Sequence, residues 1–170
     1  SRIKSKNTNL PDAFDLESHK TEWTCAAKLA EWINEIIREK DVPLGIAEVE
    51  TKTKDSGKRS DVIIYETPKN IDVLCVIECK QPFWDVFNEE LKDDARGKSN
   101  KRKSPYFSTC NFKKLIWWST EKSNNPVLTE EQQILEKYSL SEIENLDEIE
   151  NIRFREPIRK ELEKFIYKLY

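Results

Sequence analysis

Apolar residues recur at helical spacing from Trp23 to Ile37, so the sequence predicts a first helix over this stretch. Ser18 or Thr21 is a candidate cap for its beginning. The preceding residues, 1–17, show no clear period and are expected to form a flexible arm. The chain is therefore expected to enter its folded part through a helix.

Two runs of consecutive apolar residues follow, at 61–65 and 72–78. Such runs predict central strands that are covered on both faces. The short sequence between them contains the turn-forming residues proline and asparagine, which indicates a hairpin. A strand at 44–51 and an exposed polar loop at 52–60 are expected before the first of these runs.

The pattern after the hairpin predicts a helix at about 84–95, a basic loop at 96–103, and two more strands at 106–108 and 115–118. The predicted fold class is therefore α/β, with a mixed sheet flanked by helices.

The remainder of the chain, 126–170, is predicted to be a helical extension of a core at 18–125. Capping-box sequences begin at Thr129 and at Ser141. Pro157 stands where a first helical residue is common, and an amphipathic stripe runs beyond it. Because the chain stops within that stripe, we expect the polypeptide to continue and to lead to a further domain.

Composition excludes several classes of function. A single histidine excludes catalysis built on several histidines, and three glycines leave little room for glycine-rich nucleotide loops. The four cysteines come without secretory signals and indicate reduced thiols in a cytoplasmic protein. No apolar stretch approaches the ~20 residues of a membrane span, so no membrane partner is expected.

The candidate chemistry lies at one end of the predicted hairpin. A turn at Lys69 and Asn70 places Asp61 directly opposite Glu78, and Glu78 shares a strand face with Lys80. Two carboxylates ~5 Å apart repel each other by about 3 kcal/mol at an effective dielectric near 20. A divalent cation removes this penalty, and hard oxygen ligands favour Mg²⁺, with Mn²⁺ as an alternative.

The segment RSDVIIYETPKNIDVLCVIECKQP resembles the core of the PD-(D/E)xK nuclease superfamily, in which an Asp is followed by Glu-x-Lys at the end of the next strand. Asp61 and the triplet from Glu78 to Lys80 match that pattern. With Thr109 and Asn111 near the following strand, the chain also resembles the N-terminal nuclease domains of type I and type IIG-like restriction endonucleases. The resemblance implies a restriction-endonuclease-like αβββαβ core.

The resemblance also implies the roles of the site residues. The implied metal ligands are two carboxylates and one backbone carbonyl: Asp61, Glu78 and Cys79. Lys80 is expected to act on the attacking water, and a glutamate of the first helix is expected to complete the site, with Glu22 as the first candidate and Glu31 as the alternative. The side chains of Cys75 and Cys79 are expected to pack in the core rather than bind zinc.

The implied activity is Mg²⁺-dependent hydrolysis of double-stranded DNA by the nuclease domain of a restriction–modification enzyme. Methyltransferase or specificity regions are then expected in the same chain or complex. The basic segment contains five candidate DNA-contacting residues: Arg96, Lys98, Lys101, Arg102 and Lys103. A solvated loop that contacts no DNA would account for these charges equally well. The alternatives are a non-catalytic nucleic-acid-binding module on the same fold, a repair or junction-resolving nuclease, and a protein-interaction domain.

Overall fold

The computed structural model describes residues 9–50 and 61–170, with side chains from Glu22 onward. The predicted loop at 52–60 and the first part of the predicted arm, 1–8, lie outside the described residues. The described part of the chain forms one six-stranded mixed sheet with five α-helices. No helix in this part is long and apolar enough to cross a membrane.

The elements follow one another in a mixed order. The helices are α1 Asn9–Glu39, α2 Glu89–Arg102, α3 Thr120–Ser123, α4 Glu130–Gln133 and α5 Ile152–Leu169, with a 3₁₀ turn at Leu146–Glu148. The strands are β1 Ala47–Val49, β2 Asp61–Tyr65, β3 Val73–Cys79, β4 Tyr106–Cys110, β5 Lys114–Ser119 and β6 Ile134–Ser139. The helix α1 begins earlier than the caps at Ser18 and Thr21 predicted, so residues 9–17 are helical rather than part of an arm.

The strands lie in the sheet in chain order, from β1 to β6. Every neighbouring pair is antiparallel except β3 and β4, which are parallel and joined by α2. A parallel pair needs such a crossover because the chain must return to the same end of the sheet. Apolar residues of α1 and α5 pack on one face of the sheet, and α2 covers part of the other.

The predicted hairpin and its register are confirmed. Asp61 pairs with Glu78, and the pairing continues residue by residue to Ile64 opposite Cys75. Asn70 adopts a left-handed conformation with φ of 56° in the turn, a conformation that asparagine tolerates better than most residues. Strand residues alternate between the α1 face and the α2 face, so the register decides which side chains face α2.

The second helix differs from its prediction at both ends. It begins at Glu89 because the side chain of Asn88 accepts a hydrogen bond from the backbone N–H of Leu91 and caps the helix. It ends at Arg102, where Lys103 adopts the left-handed conformation of a C-cap. The predicted basic loop at 96–103 is therefore wrong, because these residues form the C-terminal half of α2 and its cap.

The prediction for 126–170 is correct only in part. The capping box at Thr129 is present, but its helix α4 lasts four residues and is followed by strand β6. No helix begins at Ser141. The helix α5 begins at Ile152, so Pro157 lies inside it. The extension contributes a strand to the sheet and a helix to the core. The residues of the predicted apolar stripe are all buried: Ile158, Leu162, Phe165, Ile166 and Leu169.

Candidate metal centre at the end of the central hairpin

Two buried carboxylates face each other where β2 begins and β3 ends. Asp61 is 1% exposed and Glu78 is 5% exposed, and the two residues are direct cross-strand partners. The next residues, Val62 and Ile77, point to the opposite face and pack in the core with α1. This alternation turns both acids toward α2, and their direct opposition is the one that the sequence predicts.

A lysine of α2 contacts both carboxylates. The ammonium of Lys98 donates to Oε1 of Glu78 at 2.7 Å and to Oδ1 of Asp61 at 3.3 Å. Lys98 was predicted to contact DNA from a loop, but it lies in a helix and its side chain enters the candidate site. The two acids therefore already share one positive charge.

The electrostatics of this cluster reflect its burial. Burial raises the pKa of Glu78, and the charge of Asp61 acts in the same direction, whereas Lys98 opposes them. Burial alone would lower the pKa of Lys98, but the carboxylates of Glu78 and Asp61 outweigh it, and the pKa is raised. The ammonium and the carboxylates thus stabilise each other's charged forms.

A third acid extends the row across the sheet. The backbone N–H of Glu50, directly after β1, donates to the carbonyl of Asp61 at 2.9 Å. The Arg102 guanidinium donates to both carboxylate oxygens of Glu50, at 2.6 Å to Oε2. Lys98 and Arg102 lie four residues apart, one helical turn, so α2 places one cation over each part of the acidic row.

Lys80 continues the strand ladder beyond β3, since its backbone N–H donates to the carbonyl of Cys110 at 2.9 Å. Its ammonium lies 4.8 Å from the centroid of the Trp84 ring and is among the charges that lower the pKa of Glu78. The structure thus brings the two predicted acids together, and Lys98 rather than Lys80 is the lysine that contacts both of them.

Of the two candidate helix glutamates, Glu22 is the one that the fold brings to this region. It is 5% exposed, and its Oε2 accepts a hydrogen bond from the backbone N–H of Gln81, directly after Lys80, at 3.2 Å. Glu31 instead pairs with Lys28 at 3.3 Å, and its side chain is 54% exposed. Glu22 thus holds the segment that follows the Glu-x-Lys triplet.

Thr109 and Asn111 hold the same segment from the other side. The Thr109 hydroxyl donates to the carbonyl of Val86 at 2.8 Å, and the Asn111 amide donates to the carbonyl of Trp84 at 2.7 Å. Both residues are buried. They position the chain after Lys80, and these two hydrogen bonds go to backbone carbonyls rather than to Asp61 or Glu78.

The remaining predicted DNA contacts divide into two groups. Arg96 donates to the carbonyl of Ser123 at 3.1 Å and to Asp93 at 3.0 Å, and Arg102 is paired with Glu50 as above. Lys101 and Lys103 are exposed at the C-terminal end of α2.

The donor set fits a hard divalent cation in part. Asp61 and Glu78 supply two carboxylates that converge on one cation, which is the ligand type that Mg²⁺ favours. Within residues 9–50 and 61–170, no group of three or more His, Cys, Asp or Glu side chains is placed to hold an ion. The backbone carbonyl of Cys79, the expected third ligand, stays a prediction. Cys75 and the Cys79 thiol pack in the core, as predicted.

Family models, curated proteins and solved structures gave no match to this chain, so its functional assignment depends on the chemistry of the site.

Proposed function

We propose that the chain is a Mg²⁺-dependent endodeoxyribonuclease domain of the PD-(D/E)xK type, most similar to those of type I or type IIG-like restriction endonucleases. One observation carries the proposal: Asp61 and Glu78 are buried, face each other on neighbouring strands, and converge on a single cation. A fold selected for stability alone gains little from burying two acids together, since burial of charge is costly unless it is compensated.

The element order supports the same assignment. From α1 through the antiparallel strands β1, β2 and β3, the crossover helix α2 and the parallel strand β4, the order is αβββαβ. That is the order expected of a restriction-endonuclease-like core. The acids stand where that core would place them, at the beginning of β2 and the end of β3.

Asp61 and Glu78 would hold the Mg²⁺ ion, and the carbonyl of Cys79 is the predicted third ligand from the chain. A Mg²⁺ ion, when bound, would polarise a phosphoryl oxygen of the substrate and make the attacking water more acidic. Lys80 would donate a hydrogen bond to the attacking water or to the charge that develops on the phosphate. Glu22 would position Lys80 through its hydrogen bond to Gln81.

Double-stranded DNA is the proposed substrate. Lys101 and Lys103 extend from the C-terminal end of α2, the helix that also carries Lys98, and would contact backbone phosphates near the site. Each such contact makes binding more dependent on salt. Recognition of the DNA sequence is assigned to methyltransferase or specificity regions of the same enzyme, in the cytoplasm.

A non-catalytic nucleic-acid-binding module is the second candidate, because one observation favours it. The Lys98 ammonium already neutralises part of the acidic charge without any metal ion. In that case the Asp61–Glu78–Lys98 cluster would serve only to dock α2 on the sheet, and DNA would bind without being cut.

Cleavage of supercoiled plasmid DNA in Mg²⁺ separates the two candidates. The variants Asp61→Asn and Lys80→Met are expected to lose about 100-fold or more of the activity. The matched control is Asp72→Asn, because Asp72 is an exposed acid at the opposite end of the same hairpin, and this variant is expected to cut like the wild type. Salt-dependent DNA binding with no cleavage by the wild type, or equal cleavage by all four proteins, would refute the nuclease assignment.

A further inference from the structure

The position of Lys98 has a consequence for metal binding. Its side chain is 27% exposed, whereas those of Asp61 and Glu78 are 2% and 6% exposed. Lys98 is therefore the most exposed member of the cluster, and its ammonium lies directly on the oxygen atoms that a metal ion would need.

A divalent ion and the ammonium would bind the same oxygen atoms. Mg²⁺ binds carboxylate oxygens at ~2.1 Å. The ammonium lies 2.7 Å from Oε1 of Glu78, so an ion on that oxygen would lie within about 5 Å of it. Two positive charges at that separation, in a partly buried site, repel each other strongly. The two cations therefore compete for these oxygen atoms.

Lys98 can leave without moving the helix. The backbone of α2 is fixed by buried Leu91 and Ala95 and by Ser99, whose hydroxyl contacts that of Thr120 at 2.7 Å. The lysine side chain is a flexible four-carbon stem, so rotation about its own bonds carries the ammonium out to solvent. Arg102 is held separately by Glu50 and does not take its place.

From this geometry we infer that Lys98 is a built-in competitor for the metal: it occupies the cation position in the metal-free protein and is displaced when a divalent ion binds. The inference rests on the proposed function for the existence of the metal site, and adds that Lys98 sets the affinity of that site.

Binding of Mn²⁺ to the full chain, measured by the loss of the electron paramagnetic resonance signal of free Mn²⁺, tests this inference without DNA. Lys98→Met removes the competing charge, and the affinity is expected to rise about tenfold or more. Lys98→Arg keeps a cation there and is expected to bind Mn²⁺ no more tightly than the wild type. The matched control is Lys164→Met, which removes a lysine bound to a surface acid, Glu161, and is expected to change the affinity by less than about twofold.

Asp61→Asn in both backgrounds separates the two levels of the proposal. If the wild type and Lys98→Met bind Mn²⁺ equally, and Asp61→Asn abolishes binding in each, the metal site stands and competition by Lys98 is refuted. If neither protein binds Mn²⁺, the proposed metal site fails, and the inference fails with it. Weaker binding by Lys98→Met also refutes competition.

A second measurement needs no variant that might fold poorly. In uniformly ¹³C-labelled wild-type protein, the εCH₂ resonance of Lys98 is expected to move to a solvent-like position as Mg²⁺ is added. An unchanged Lys98 resonance, while signals of Asp61 and Glu78 shift, would overturn the inference.

Discussion

The contact between Lys98 and Glu78 allows a test of how much burial strengthens an ion pair, because the same protein contains a matched pair on its surface. The Nζ–Oε1 distance is 2.7 Å, and the two side chains are 27% and 6% exposed. Lys164 and Glu161 of α5 also lie 2.7 Å apart, but their side chains are 61% and 23% exposed. The two pairs thus have the same length and differ in burial, and Lys98 has a second acidic partner in Asp61.

The expected magnitudes follow from that difference. Removing one partner of a buried pair costs about 3–5 kcal/mol, and the partial exposure of Lys98 places Lys98→Met near about 3 kcal/mol in the free energy of unfolding. Because Asp61 keeps part of the interaction, the coupling energy between Lys98→Met and Glu78→Gln is expected to be about 1–2 kcal/mol. The coupling between Lys164 and Glu161 is expected to stay below about 0.5 kcal/mol.

Urea unfolding in the presence of a chelator, followed by the fluorescence of the five tryptophans, measures all of these free energies. Each double-mutant cycle needs the wild type, the two single variants and the double variant. Equal coupling in the two pairs would refute the reasoning, and so would a cost for Lys98→Met no larger than that for Lys164→Met.

Three further predictions concern other parts of the fold. The buried hydroxyl of Tyr138 lacks a hydrogen-bond partner among the described residues, and burial raises its pKa from 10.0 to about 12. The unfolded chain then loses this proton at a lower pH than the folded protein does, so the free energy of unfolding falls as the pH rises from about 10 to about 12. Tyr138→Phe is expected to remove that part of the fall. It is also expected to stabilise the protein by about 1 kcal/mol at pH 7. An identical dependence of unfolding on alkaline pH in both proteins would contradict this. Asn111→Ala removes the bond to the Trp84 carbonyl and the one from the Lys114 N–H, and is expected to cost about 2–3 kcal/mol and to speed amide exchange at 82–88; unchanged exchange would argue against it. Burial raises the pKa of the Cys25 thiol to about 12, and all four thiols are buried, so a thiol reagent at pH 8 is expected to react only after denaturation; a thiol that reacts at the rate of a free cysteine in the folded protein would contradict this.

The hairpin could be predicted from the sequence because its two strands and its turn agree with one another. Consecutive apolar residues fix the strands, and Asn70 supplies the left-handed residue that the turn requires. Once the register is set, the antiparallel pairing places Asp61 opposite Glu78 and continues to Ile64 opposite Cys75, and a shift at Tyr65 is the part that the sequence does not predict. The sequence alone therefore predicts where the two acids of the candidate site meet.

The role of Lys98 could not be predicted, because the spacing of apolar residues predicts a helix that ends at about residue 95, before Lys98. Trp84 and Phe87 have helical spacing with Leu91, which favoured a helix from 84 to 95. The cap at Asn88 instead starts the helix later, and Gly97, next to Lys98, lies inside it rather than in a loop. Propensity and spacing do not decide between these alternatives, because the cap and the packing of α2 on the sheet do.

The strand β6 was missed for a related reason. A capping box at Thr129 marks where a helix begins, but it does not set the length of that helix. The sequence of β6 buries only Tyr138 fully, so it carries little apolar alternation of its own. Its pairing with β5, which includes Leu115 opposite Tyr138, is a long-range contact that no local pattern contains.

Anomalous diffraction from crystals soaked in Mn²⁺ tests the central claim most directly. We predict a single strong peak within bonding distance of carboxylate oxygens from both Asp61 and Glu78, with the Lys98 ammonium moved away from them. Density that keeps the ammonium between the two carboxylates, with no Mn²⁺ peak beside them, would contradict both the metal site and the phosphodiester hydrolysis proposed for it.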